Sequence, residues 1–266
     1  MNQDTRKPIL FERVGEVGVM TFNRPEVMNA INRPLWLQAA AVFEEFANDP
    51  GLRVLILTGA GDRSFCAGTD LKAKAAGEME MPPEVARWGY AGIVRHYVNK
   101  PVIAAVNGFA LGGGTEIALS CDLIVASEKA TFGLPEVKHG IIAGAGGLLR
   151  MSRQIPLKVA MHCILTADSM SAEEAQRWGL VNRVVPHERL MPAALEMAKK
   201  ICDNSAVAVS ASKDIVYQGL DLPLDFPGAA WEVNDRYIDV VEAHPDAEEG
   251  MRAFAQKRKP VWKARP

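Results

Sequence analysis

The sequence predicts an α/β fold with parallel strands, followed by a helical C-terminal region. Three observations carry this reading. Apolar runs such as Val54-Leu-Ile-Leu-Thr58 and Val102-Ile-Ala-Ala-Val106 are continuous rather than alternating, as in strands covered on both faces. Strand-like and helix-like segments alternate through the first two-thirds of the chain, the pattern of βαβ crossovers. Beyond Arg189 almost every segment has helical periodicity.

The elements follow in order. Residues 9–13 and 17–22 read as a hairpin about Gly15, and 32–48 as a helix whose periodicity is carried by Leu35, Leu37, Ala40, Val42, Phe43 and Phe46. The buried strand 54–58 runs into the small-residue turn Phe65-Cys-Ala-Gly-Thr-Asp70, where Asp70 is placed to cap a short helix over 71–76. A polar loop ending in Met81-Pro-Pro83 precedes a helix expected over 84–98. Strands at 101–106, 122–126 and 130–132 alternate with helices at 115–120, 144–151 and 157–165. Ser171-Ala-Glu-Glu174 has the spacing of a capping box, Gly179 stops that helix, and Pro186 closes a strand over 180–185. The last helices are expected at 189–202, 206–218, 228–242 and 246–258. The change near residue 190 divides the chain into a core domain, 1–190, and a helical subdomain, 191–266, whose apolar faces need a partner surface.

Composition narrows the function. A net charge of −2 over 266 residues gives no field that favours nucleic acid. The cysteines, Cys66, Cys121, Cys163 and Cys202, have no metal-ligand spacing and read as reduced core thiols. The polar start, 1–8, is unlike a signal peptide, and no run of 18 apolar residues predicts a membrane span. The bacterial cytoplasm is the expected compartment.

The most informative segment is Asn107-Gly-Phe-Ala-Leu-Gly-Gly-Gly-Thr-Glu116. Three glycines after a buried strand mark a turn where backbone approaches something closely, and the helix start behind them leaves N–H groups free to meet negative charge. No Gly-Lys-[Ser/Thr] follows and the spacing is not Gly-x-Gly-x-x-Gly, so a nucleotide-phosphate loop is excluded. Glu116 stands in the first turn of the helix among apolar neighbours. A second acid, Glu136, lies in Phe132-Gly-Leu-Pro-Glu136. The turns at 65–70 and 112–114 both follow buried strands, and two such turns can aim two amides at one point, as in an oxyanion hole.

Together SFCAGTDLK, KPVIAAVNGFALGGGTEIALSCDLIVAS and TFGLPEVKHGIIAGAGG resemble the enoyl-CoA hydratase/isomerase (crotonase) superfamily. The resemblance runs from Phe22-Asn-Arg-Pro25 to Ala253-Phe-Ala-Gln-Lys-Arg258. It implies a spiral of ββα units with a helical trimerisation region, assembled as a homotrimer or homohexamer, and an acyl-CoA thioester as substrate. Coenzyme A would be part of the substrate, and no separate cofactor or metal is implied. The thioester oxygen would be held by the amides of Thr69 and Gly113. Ala67 would meet the adenine, Gly68, Asp70, Leu71 and Lys72 would lie along the CoA, and Phe254 and Lys257 would reach it from the last helix. Glu116 would activate water and Glu136 would deliver the C2 proton, with Gly144 offering its N–H near that water. Two matching glutamates favour a hydratase over an isomerase that keeps one acid.

Asp70-Leu-Lys72, Trp178-Gly-Leu-Val-Asn182 and 254–263 also resemble carnitinyl-CoA dehydratases. For that specialised hydratase, Trp88 and Tyr90 would supply aromatic faces to a trimethylammonium group. A non-catalytic acyl-CoA-binding or RNA-binding module on the same fold is the reading from another class; the charge disfavours RNA and the two acids disfavour an inert site.

Overall fold

The computed structural model describes residues 7–225 and 228–263. In chain order it contains β1 (Ile9–Val14), β2 (Val17–Phe22), α1 (Arg33–Asn48), β3 (Val54–Gly59), β4 (Ser64–Cys66), α2 (Leu71–Ala75), α3 (Pro83–Ala86), β5 (Val102–Val106), β6 (Phe109–Leu111), α4 (Gly113–Ser120), β7 (Leu123–Ser127) and β8 (Thr131–Gly133). There follow α5 (Gly147–Gln154), α6 (Leu157–Thr166), β9 (Met170–Ser171), α7 (Ala172–Arg177), β10 (Arg183–Val185), α8 (Leu190–Cys202), α9 (Ala206–Gly219), α10 (Ala229–Glu242) and α11 (Pro245–Ala255).

Two sheets stack these elements. The larger has the order β1-β2-β3-β5-β7-β10, parallel throughout except for the β1–β2 hairpin. The smaller has the order β4-β6-β8-β9, with β4, β6 and β8 parallel. Each turn of the chain lays a long strand in the large sheet and a short one in the small sheet, then leaves through a helix: β3-β4-α2, then β5-β6-α4. This is the ββα spiral that the resemblance implies.

The continuous apolar strands have a plain cause. Met20, Leu55, Leu57, Ala104 and Ile124 face one core with Phe43 and Phe46 of α1. The alternate residues Val19, Val54, Ile56, Ile103 and Val125 face another, covered by Leu190, Ala194 and Ala198 of α8. Each fully buried large apolar side chain contributes about 1.5–3 kcal/mol. Since α8 shares this core, the division expected at residue 190 separates α8 from the sheet face that it covers; α9 to α11 lie beyond it.

The capping box at Ser171 is present, with Glu174 reaching back to the Ser171 amide at 3.0 Å. Asn32 caps α1. The expected helix over 84–98 is not formed beyond Ala86, because Gly89, Ala91 and Gly92 all adopt positive φ. The helix expected from 144 starts at Gly147, since Gly146 has φ +103°. The last helix ends at Ala255 rather than 258, and Lys257 beyond it is left-handed. Strands β4, β6 and β9 were not expected; at two or three residues they are too short to show a period. Among the described residues no helix is long and apolar enough to cross a membrane.

Candidate active site

Parallel strands end on the same side, and here the small sheet delivers three loops to one place. β4 leads to Ala67-Gly68-Thr69, β6 to Gly112-Gly113, and β8 to Leu134-Pro135-Glu136. A cleft of about 220 Å³ opens there, floored by Gly113, Glu116 and Tyr90, with Thr69, Glu136 and Gly144 on its walls.

Close backbone packing joins the first two loops. Gly68 has φ +89°, and a Cβ there would lie 2.9 Å from the Leu111 carbonyl oxygen and 3.2 Å from the Gly113 nitrogen. A Cβ on Gly114 would stand 1.9 Å from the Cys66 carbonyl oxygen. Only glycine fits at either point. Thr115 ties α4 down, its hydroxyl donating to the carbonyls of Ala110 at 2.6 Å and Gly133 at 2.9 Å.

The orientation of two amides follows from this frame. Ile31 donates to the Gly68 carbonyl and accepts from the Asp70 amide, so the Thr69 N–H between them projects to the opposite side. Gly113 is the first residue of α4, and its N–H is one of those a helix leaves unused. Positive helix-end potential adds to it.

The two acids sit in unlike settings. Glu116 is 3% exposed, and its Oε1 accepts from the Gly147 amide at 2.8 Å. Burial raises its carboxyl above the ordinary range; the Gly147 and Ala145 amides oppose this, and the charge of Glu136 adds to it. Glu136 projects from a short 3-10 turn, Pro135–His139, and its buried Oε2 has no hydrogen-bond partner among the described residues. Burial raises this carboxyl too, against its own amide and the nearby His139. Each acid rests on a glycine: a Cβ on Gly112 would meet Glu136 Oε1 at 2.9 Å, and one on Gly147 would meet Glu116 Cγ at 3.0 Å.

A family model described as enoyl-CoA hydratase/isomerase matches residues 12–265. The chain belongs to the enoyl-CoA hydratase/isomerase family. It is 41% identical over 264 residues to the carnitinyl-CoA dehydratase of Citrobacter koseri, a match that spans 96% of this chain and 98% of that one. Among solved structures, an enoyl-CoA hydratase from Mycobacterium tuberculosis superposes with a TM-score of 0.91 at 40% identity, over 97% of this chain and 99% of the other. A carnitinyl-CoA hydratase from Mycobacterium avium superposes with a TM-score of 0.78 at 46% identity, over 98% and 100%.

For this member of the enoyl-CoA hydratase/isomerase family, the structure gathers Ala67, Gly68, Thr69, Leu71, Gly113, Glu116, Glu136 and Gly144 at one cleft. Other expected residues lie off this cleft or are engaged by other groups. The Gly144 amide does not face the cleft freely; it closes a tight turn on the Ile142 carbonyl at 2.8 Å. The amide that holds the Glu116 carboxylate is that of Gly147. Asp70 does not line the cleft: its carboxylate caps α2 through Lys72 and Ala73 at 3.2 Å each and pairs with Arg24 at 3.0 Å. Burial would raise that carboxyl, but these bonds outweigh it and hold it below the usual range.

Lys72 is off the cleft, and Lys74, two residues on and on the other side of the helix, lines it. Trp88 is turned away, stacked on His96 at 3.6 Å with the Arg87 guanidinium over its other side at 4.2 Å. Phe254 is 87% exposed on α11, and neither it nor Lys257 lines the cleft of its own chain. His139 stands exposed at the rim. Sequence reasoning missed Lys74, Gly112 and Gly147. The triple glycine was the available signal for Gly112; helical spacing from Leu71 was the signal for Lys74.

Proposed function

We propose that this protein is an enoyl-CoA hydratase, adding water reversibly to a 2-enoyl-CoA to give a 3-hydroxyacyl-CoA. The observation that carries the reading is the meeting of two buried, unequal carboxyls with two free-facing amides in one cleft. The thioester oxygen accepts from the Thr69 and Gly113 amides, which stabilise the enolate charge as it develops; each such donor is worth about 10²–10³ in rate. Burial raises both carboxyls, which favours a proton held on the pair, and the two titrate as a unit. Glu116, held by the Gly147 amide, orients water and takes its proton as the oxygen bonds to C3. Glu136 gives its proton to C2. One water is consumed, and the pair ends with the proton count it began with.

The reading calls for no cofactor beyond the CoA of the substrate, and for no nucleic acid or membrane partner; the cytoplasm is its proposed location. A trimer, or a pair of trimers, is part of the same proposal. Large apolar side chains exposed on α5, α6 and α10 (Leu149, Leu157, Leu165, Trp231) support it, and assembly is what would bring Phe254 and Lys257 to a CoA. Sedimentation at micromolar concentration reads the state directly; a monomer contradicts it.

A second reading, carnitinyl-CoA dehydratase, is favoured by the names of the 41% and 46% identical relatives. The aromatic faces available to a trimethylammonium group are fewer than the sequence promised, since Trp88 is engaged elsewhere and Tyr90 remains. Loss of enoyl-thioester absorbance is followed with crotonyl-CoA and with crotonobetainyl-CoA. Turnover of crotonyl-CoA supports the hydratase; equal turnover of both counts against carnitine specialisation, and turnover of neither overturns both readings.

A further inference from the structure

The inner end of the cleft is closed by a side chain that the hydration chemistry does not use. Leu71, Lys74 and His139 are exposed at the rim, Gly113 and Glu116 are buried at the floor, and Tyr90 beside them is half-buried. The hydroxyl end of the Tyr90 ring packs against Gly113, where a Cβ would collide with its Cε1, Cζ and hydroxyl. The Thr69 hydroxyl donates to the Tyr90 phenol oxygen at 3.1 Å. Trp36 of α1 backs the ring edge-on at 5.0 Å. Tyr90 therefore touches both residues whose amides form the oxygen site, and it feels the charge of both acids. Its backbone is held by Gly89, Ala91 and Gly92 at positive φ, a conformation disfavoured for alanine and of the kind that gathers at ligand sites.

We infer that Tyr90, pinned by the Thr69 hydroxyl, is a chain-length stop that confines the enzyme to short acyl groups. The inference rests on the hydratase reading for the direction in which the acyl group enters. With the thioester oxygen at the floor beside Gly113, carbons beyond C3 run against the phenol and Trp36 behind it. Thr69 then has a role for its side chain as well as its amide. It is a positioning residue, acting through Tyr90, and its hydroxyl keeps the ring from swinging aside.

The test measures binding of saturated thioesters, butyryl-CoA and octanoyl-CoA, which cannot be hydrated. Calorimetry gives the ratio of their dissociation constants for the wild type, Thr69→Ala, Tyr90→Phe, the double variant and Tyr90→Ala. The wild type is expected to prefer butyryl-CoA by at least about tenfold, the discrimination one pocket wall supplies. Tyr90→Ala is expected to abolish that preference. Thr69→Ala and Tyr90→Phe each cut it by about threefold, and the double variant cuts it no further, because both remove the same bond. An unchanged ratio in Tyr90→Ala overturns the stop, and additive single effects overturn the pin. Should Tyr90→Ala fail to fold, the cycle of the other three variants still decides. A wild type that binds octanoyl-CoA as well as butyryl-CoA, or neither, also overturns the inference. Failure of the wild type to hydrate crotonyl-CoA instead strikes the hydratase reading alone.

Discussion

The two sides of the cleft solve the burial of a carboxyl differently. On the Glu116 side, the acid stands on α4 and the start of α5 supplies the Gly147 amide, so the acid is fixed and partly compensated. On the Glu136 side, a five-residue 3-10 turn presents an acid whose Oε2 is buried and unpartnered among the described residues. A fixed acid suits the orientation of water, and a carboxyl with an oxygen left open suits the handing over of a proton. The difference teaches that the two roles follow from surroundings, since the side chains are chemically the same.

The largest effect expected is on catalysis. Glu116→Gln and Glu136→Gln should each lower crotonyl-CoA hydration by about 10²–10⁴-fold, and the double variant should lose little more, because the acids act on one water. Steady-state rates with all three variants check this; multiplicative losses would show independent roles.

The supporting glycines sharpen the comparison. Gly112 has φ +52° and touches Glu136, so Gly112→Ala should lower both activity and stability, the latter by about 1–3 kcal/mol. Gly147 lacks a positive φ, and Gly147→Ala should displace Glu116 by tenths of an ångström, cutting the rate by about tenfold while shifting the melting temperature little. Equal stability losses would contradict the contrast.

The acids also tie stability to pH. Both titrate above their unfolded values, so the native state holds more protons than the unfolded chain across that interval. Their contribution is complete below the unfolded carboxylate value and is lost as pH rises through the folded one. Thermal melts of Glu136→Gln against wild type should therefore show an advantage for the variant that grows from about pH 4 upward. For Glu116→Gln the growth should be smaller, since the Gly147 amide already compensates that charge. An advantage that shrinks with rising pH would contradict the burial of both groups.

How much of this was legible in the sequence depended on strand length and on what a side chain touches. The large sheet announced itself through five- and six-residue apolar strands, and the glycine turn with Glu116 stood out because an acid there lies among apolar neighbours. The small sheet did not, although it aims Thr69, Gly113 and Glu136; Ser64–Cys66 and Phe109–Leu111 are too short for a pattern. Trp88 and Tyr90 looked equivalent two residues apart, and the positive φ of Gly89 between them sends one to His96 and the other to the cleft. Asp70 was readable as a cap and as a ligand-side residue, and its bonds to α2 and Arg24 make it a cap. The smallest effect expected follows from this: Asp70→Ala should cost about 1 kcal/mol of stability and far less rate than either glutamate variant, as denaturant melts and kinetics would show.

The grip of two backbone amides on the thioester oxygen is read most directly by infrared spectroscopy. Crotonyl-CoA carrying ¹³C at the thioester carbonyl would be bound to the inactive Glu116→Gln/Glu136→Gln protein. The account predicts a carbonyl stretch lowered relative to the free thioester in water, because the Thr69 and Gly113 amides polarise the bond. A stretch unchanged on binding would contradict it.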